Sequence, residues 1–135
     1  MLQVPEILKS VIKNVVWRIN PAEKVIYLTF DDGPNSRVTP LVLDILDRFE
    51  VKATFFCVGE NVSRFPDVFD EVKRRGHTVG NHTFNHLKGF EYATDYYVRN
   101  VEKANGYIKS DLFRPPHGQI KPSQIKALKD DYRII

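Results

Sequence analysis

The sequence predicts an α/β fold built on parallel strands, in a sheet or barrel, and three observations carry that expectation. Short, near-continuous apolar runs stop at glycine, proline or acidic residues, and segments with apolar residues at helical spacing lie between them. Polar clusters follow directly on three of the runs. Strands apolar on both faces suit a covered sheet, and their alternation with helices makes βα units.

The elements follow in order. Residues 6–16 read as a short amphipathic helix, then Trp17-Arg18-Ile19 and a turn at Asn20-Pro21. Val25 to Phe30 is a buried strand ending in Asp-Gly-Pro. Thr39-Pro40 opens a helix in cap-then-proline order, with Leu41, Val42, Ile45, Leu46 and Phe49 as its apolar face. Ala53 to Val58 is a second buried strand, closed by Gly59, and Pro66 begins a helix that Gly76 stops. Thr78-Val79-Gly80 is a short third strand. Tyr96 to Ile108 is a helix, Leu112-Phe113-Arg114 a strand cut off by Pro115-Pro116, Pro122 to Leu128 a helix, and Tyr132 to Ile135 a last strand.

The chain has 135 residues, 42% of them hydrophobic, which suits one domain with its own core. Residues 1–23 read as an N-terminal extension and 24–135 as the domain. The net charge of +3 is spread among interleaved acids, with no basic block carrying aromatics, so nucleic acid is not an expected partner. Cys57 is the one cysteine and lies in an apolar run, as a small buried side chain would. No segment is long and apolar enough to span a bilayer. Met1 to Ile7 lacks the basic start, apolar stretch and small-residue site of a secretory leader, and localisation stays open.

Chemistry concentrates where the strands end. Asp31-Asp32 closes the first strand, the His82 and His86 pair follows the third, and Arg114-Pro115-Pro116-His117-Gly118 follows the fourth. Loops at the carboxyl ends of parallel strands gather on one face, so these clusters are brought together. One carboxylate and two imidazoles form a ligand set that leaves positions open for water and substrate. The second carboxylate is a natural base, and the pattern points to a metal-dependent hydrolase.

Each cluster has a plainer reading. Asp-Asp-Gly-Pro alone is a turn signal, and a His-x-x-x-His pair alone is two surface imidazoles that share a face only if the backbone is helical. Arg114 could cap a helix; its functional reading is a cation delivered to a catalytic carboxylate, fixing its orientation. His77 is read as structural, and Trp17, Phe55 and Phe56 as core. Tyr92, Tyr96 and Tyr97 fit helix packing better than a sugar-stacking surface.

At these residues the chain resembles the polysaccharide deacetylases, the NodB-homology class or carbohydrate esterase family 4. Thr29-Phe30-Asp31-Asp32-Gly33-Pro34 matches the family's first motif, His82-Thr83-Phe84-Asn85-His86 its second, and Arg114 to Gly118 largely its third. Ala53-Thr54-Phe55-Phe56 and Gly76-His77 are also typical of the family. The resemblance implies a distorted (β/α) barrel of the seven-stranded NodB type, present here as its N-terminal portion. It implies a divalent metal, zinc first, held by Asp32, His82 and His86, with Asp31 as general base and Arg114 paired to it. A backbone N–H near His117, after Pro116, would meet the oxyanion, and Asn81 and Thr83 would support the histidines. The substrate implied is an acetylated carbohydrate, most simply an N-acetyl amide of a polymer or oligomer.

Two departures follow. Position 117 is usually tyrosine in the family and is histidine here, which alters the local surface while leaving the backbone contact. The family's later motifs, including the histidine acid, do not occur before Ile135. Barrels of this kind need roughly 200 residues or more, so the chain reads as an incomplete domain that keeps metal site and base, with weak or absent turnover. The strand at Tyr132 to Ile135 is expected to leave an apolar edge that invites self-association. The competing readings are a metal-independent amidase of the same fold and a non-catalytic carbohydrate-binding remnant.

Overall fold

The computed structural model describes residues 14–16, 22 and 24–135. Five short strands form one parallel sheet in chain order, β1 (Thr29–Asp31), β2 (Thr54–Cys57), β3 (Thr78–Asn81), β4 (Leu112–Phe113) and β5 (Arg133–Ile134). Between them run α1 (Val38–Arg48), α2 (Gly59–Arg64), α3 (Pro66–Arg74), α4 (Thr94–Ile108) and α5 (Pro122–Leu128). Consecutive parallel neighbours joined by right-handed crossovers put every helix on one face, as along part of a barrel wall. Among the described residues β1 and β5 do not pair, so the sheet is open.

Strand pleating divides the chemistry. Phe55, Cys57, Phe113 and Ile134 face the helices and are buried with Leu43, Leu46, Val72, Val101 and Leu128. Cys57 is fully buried, and desolvation pushes its thiol up to about 12. The opposite face carries Thr29, Thr54, Thr78, Leu112 and Arg114 around a cleft of about 480 Å³. Phe55 and Phe56 are core as expected, and Trp17 lies outside the described residues.

Several expectations are corrected. β1 begins at Thr29, not Val25. Its partner β2 starts at Thr54, whose amide donates to the Leu28 carbonyl at 2.9 Å, and residues 25–28 find no ladder beyond that. They are exposed, Ile26 at 86%. Apolarity alone does not make a strand where no described residue pairs with it. α1 is capped from Asn35, not Thr39: the Asn35 Oδ1 accepts the Arg37 and Val38 amides at 2.9 and 3.0 Å. The Thr39 hydroxyl turns back to accept the Asn35 amide. Only part of the expected apolar face of α1 points inward. Leu43, Leu46 and Val42 pack on the core, while Val38, Leu41, Ile45 and Phe49 form an exposed stripe. α2 was not foreseen, because Gly59 reads as a strand stop. Its backbone instead starts a helix packed so closely on α4 that a Cβ at Gly59 would come within 2.9 Å of Ala104.

The helix expected over residues 6–16 lies mostly outside the described residues. Its last part is not helical: Val15 bridges Ile134 in parallel, and the Val16 amide donates to the Ile134 carbonyl at 2.8 Å. The turn at Asn20-Pro21 lies outside the described residues. β5 is therefore bonded to β4 on one side and met by Val15 on the other, with Ile134 buried. The apolar edge expected at Tyr132 to Ile135 is met by Val15; among the described residues the open edge is β1.

Candidate metal centre

Asp31 ends β1, His82 follows β3, and Arg114 follows β4, so adjacent parallel strands deliver all three polar clusters to the carboxyl end of the sheet. Asp32 takes a left-handed backbone (φ 71°) that turns its carboxylate toward the histidines. Its Oδ1 lies 2.9 Å from His86 Nε2 and 3.4 Å from His82 Nε2.

The histidines converge without a helix. The segment after β3 is a loop in which Thr83 (φ 62°) and His86 (φ 56°) are both left-handed, and the two rings stand 5.1 Å apart. Side chains replace the missing ladder of backbone bonds. Asn81 Oδ1 accepts the Thr83 amide at 2.9 Å while its amide group donates to the Val101 carbonyl, and Thr83 Oγ1 accepts the Leu87 amide at 3.0 Å. Asn100, from α4, accepts the Phe84 and Asn85 amides at 2.8 and 3.1 Å and donates to Asn85 Oδ1. Asn81 and Thr83 thus hold the loop's backbone rather than the imidazoles. Sequence reasoning missed Asn100, whose only signal was an asparagine on the apolar side of a helix.

His82 is buried, and its Nδ1 lies 2.7 Å from the Arg114 carbonyl. A carbonyl only accepts, so Nδ1 carries the hydrogen and Nε2 keeps a lone pair toward Asp32. Burial pushes the His82 pKa below its ordinary value, against the opposing pull of Asp31, the carbonyl bond and Asp32. A neutral ring presenting Nε2 is the ligand form. One donor atom from each of Asp32, His82 and His86 falls within 4.8 Å of the others, so these three can hold a metal ion. Two imidazoles and a carboxylate suit zinc and other first-row ions.

Asp31 stands beside this set, on the open face of the sheet. Arg114 Nη1 contacts Asp31 Oδ1 at 2.9 Å, and the guanidinium lies 4.1 Å above the Phe56 ring. Gly80 makes room for that ring, since a Cβ there would sit 2.5 Å from Phe56 Cδ1. Asn61, also missed from the sequence, fixes the turn by donating to the Asp32 carbonyl at 2.8 Å. Pro116, His117 and Gly118 form a single tight turn, with His117 left-handed at φ 57° and its ring 4.8 Å from His86. Among the described residues the His117 amide donates to no acceptor. His77 is structural as expected, its Nδ1 accepting the Ala53 amide. Tyr97 is core, while Tyr92 and Tyr96 stack 5.3 Å apart.

Residues 18–132 match the polysaccharide deacetylase family model. The chain belongs to the polysaccharide deacetylase family. A peptidoglycan-N-acetylglucosamine deacetylase of Bacillus cereus is 36% identical over 121 residues, covering 86% of this chain and 57% of that protein. A peptidoglycan-N-acetylmuramic acid deacetylase, PdaC of Bacillus subtilis, is 36% identical over 127 residues, covering 86% of this chain and 26% of its own length. Among solved structures, the Bc1960 peptidoglycan N-acetylglucosamine deacetylase superposes with a TM-score of 0.78 at 35% identity, over 80% of this chain and 54% of that one. A pseudoenzyme of carbohydrate esterase family 4 from Bacillus anthracis superposes at 0.80 with 26% identity, over 86% of this chain and 44% of that one. The chain thus spans about half the length, or less, of the relatives it matches.

Proposed function

We propose that the chain carries the metal site and base of a deacetylase that hydrolyses N-acetyl groups of a carbohydrate polymer, peptidoglycan being the substrate named for its relatives. The observation that carries this reading is the convergence of Asp32, His82 and His86 donors beside an Asp31 gripped by Arg114. Asp32, His82 and His86 would hold a divalent metal, which would supply Lewis acidity to a bound water and to an acetyl carbonyl. Asp31 Oδ2 accepts the proton of the attacking water, since Oδ1 is bonded to Arg114. Arg114 fixes that carboxylate in orientation. The His117 amide donates to the carbonyl oxygen as negative charge develops on it. The His82 Nδ1–H bond to the Arg114 carbonyl links the ligand to the strand that positions the base's partner.

Exposed apolar side chains favour self-association at β1 rather than β5. Val25 to Leu28 on the open edge and the α1 stripe of Val38, Leu41, Ile45 and Phe49 are all exposed. A second copy placed against this edge covers it.

Acetate release from N-acetylated chitooligosaccharides and peptidoglycan fragments tests the catalytic reading. Release that disappears in Asp31→Asn supports it, and release that survives that substitution overturns the base assignment. Metal binding without release leaves the metal site standing and removes turnover by this chain alone.

A further inference from the structure

We propose that His117 is a fourth, displaceable metal ligand that closes the site at rest and yields its position to substrate. The inference rests on the Asp32, His82 and His86 metal reading and concerns the side chain of His117, distinct from its backbone amide. Its ring stands 4.8 Å from that of His86, closer than the 5.1 Å separating the two histidines whose donors converge on Asp32. The turn fixes its backbone: His117 is left-handed (φ 57°, ψ 12°), and the amides of Gly118 and Gln119 are tied back to the carbonyls of Pro115 and Pro116 at 3.1 and 3.0 Å. A non-glycine residue adopts that backbone at a cost in strain, which the surrounding turn imposes.

Nothing else among the described residues claims the ring. It is exposed, and neither ring nitrogen has a hydrogen-bond partner among them. The three converging donors leave an ion short of the four ligands that zinc takes in closed sites. The His117 nitrogens lie outside the 4.8 Å set of three donors, and rotation about the side-chain bonds of an exposed, unbonded histidine costs little. A phenol at this position, as in the family's usual motif, is a poor donor by comparison. The consequence is a site that retains its metal more tightly and admits water only when His117 leaves.

The test titrates cobalt(II), followed by zinc competition, into the chain and its His117→Ala, His117→Asn and His82→Ala variants. Visible absorption of bound cobalt reports the coordination number, and competition reports affinity. His117→Asn keeps a residue that tolerates the left-handed backbone and removes the imidazole, so it separates ligation from collapse of the turn. The expected result is an intense four-coordinate spectrum for the starting chain. Both His117 variants should show a weaker spectrum and about tenfold or greater loss of zinc affinity. An unchanged spectrum and affinity in both overturn the role of His117 and leave the three-ligand site standing. No binding by the starting chain, or binding that survives His82→Ala, overturns the metal reading and this inference with it.

Discussion

Arg114 Nη1 stands 2.9 Å from Asp31 Oδ1 and 2.9 Å from Thr29 Oγ1, so one nitrogen from the residue after β4 ties together two side chains of β1 across the open face. The Phe56 ring of β2 is its platform. Arg114→Met keeps bulk over that ring and loses both bonds. Its expected effect is loss of acetate release with zinc affinity unchanged. Urea unfolding should show a loss of about 1 kcal/mol, since the pair is partly exposed. An activity equal to the starting protein's would mean that Asp31 needs no partner.

Asn100 is expected to matter as much as a ligand while touching none. Asn100→Ala leaves the Phe84 and Asn85 amides without their acceptor, at about 2 kcal/mol or more of stability. It should also loosen the loop that places His86. Asn100→Asp keeps the acceptor and should recover most of both losses. Urea melts and zinc titration of the two variants check this, and equal behaviour would contradict it.

What the sequence made legible follows from where information is local. Asp31, Asp32, His82, His86 and Arg114 could be placed because each lies just past an apolar run, and parallel strands send such positions to one end. The path by which His82 and His86 meet was not legible. It depends on left-handed residues at positions 83 and 86 and on Asn100, distant in sequence. The two faces of α1 were likewise hidden, since periodicity marks apolar residues without saying which find a partner. Residues 25–28 mislead for the same reason: they have strand composition but no neighbouring strand among the described residues.

His77 gives the fold a pH dependence. It is buried, its Nδ1 accepts the Ala53 amide at 3.2 Å, and its Nε2 has no partner among the described residues. Burial, then the nearby Lys52, holds its pKa below the ordinary 6.5. The unfolded chain therefore binds the proton first as pH falls. The stability that neutral His77 contributes is complete above about 6.5 and is lost as pH drops through the lowered folded value. Urea unfolding across this window should show a steeper decline for the starting protein than for His77→Asn. Parallel curves would remove His77 as the cause.

The exposed α1 stripe predicts association that grows with concentration. Sedimentation equilibrium should show the starting chain above monomer mass, and Leu41→Glu with Phe49→Glu should restore the monomer. These side chains lie outside the core, so the charged variant should remain folded. A monodisperse monomer before substitution would contradict the interface.

Zinc binding tests the central claim most directly. Calorimetric titration of the chain should give one zinc per molecule, and both Asp32→Ala and His82→Ala should abolish it. No binding by the starting chain, or unchanged stoichiometry and affinity in the two variants, would contradict a metal centre built from Asp32, His82 and His86.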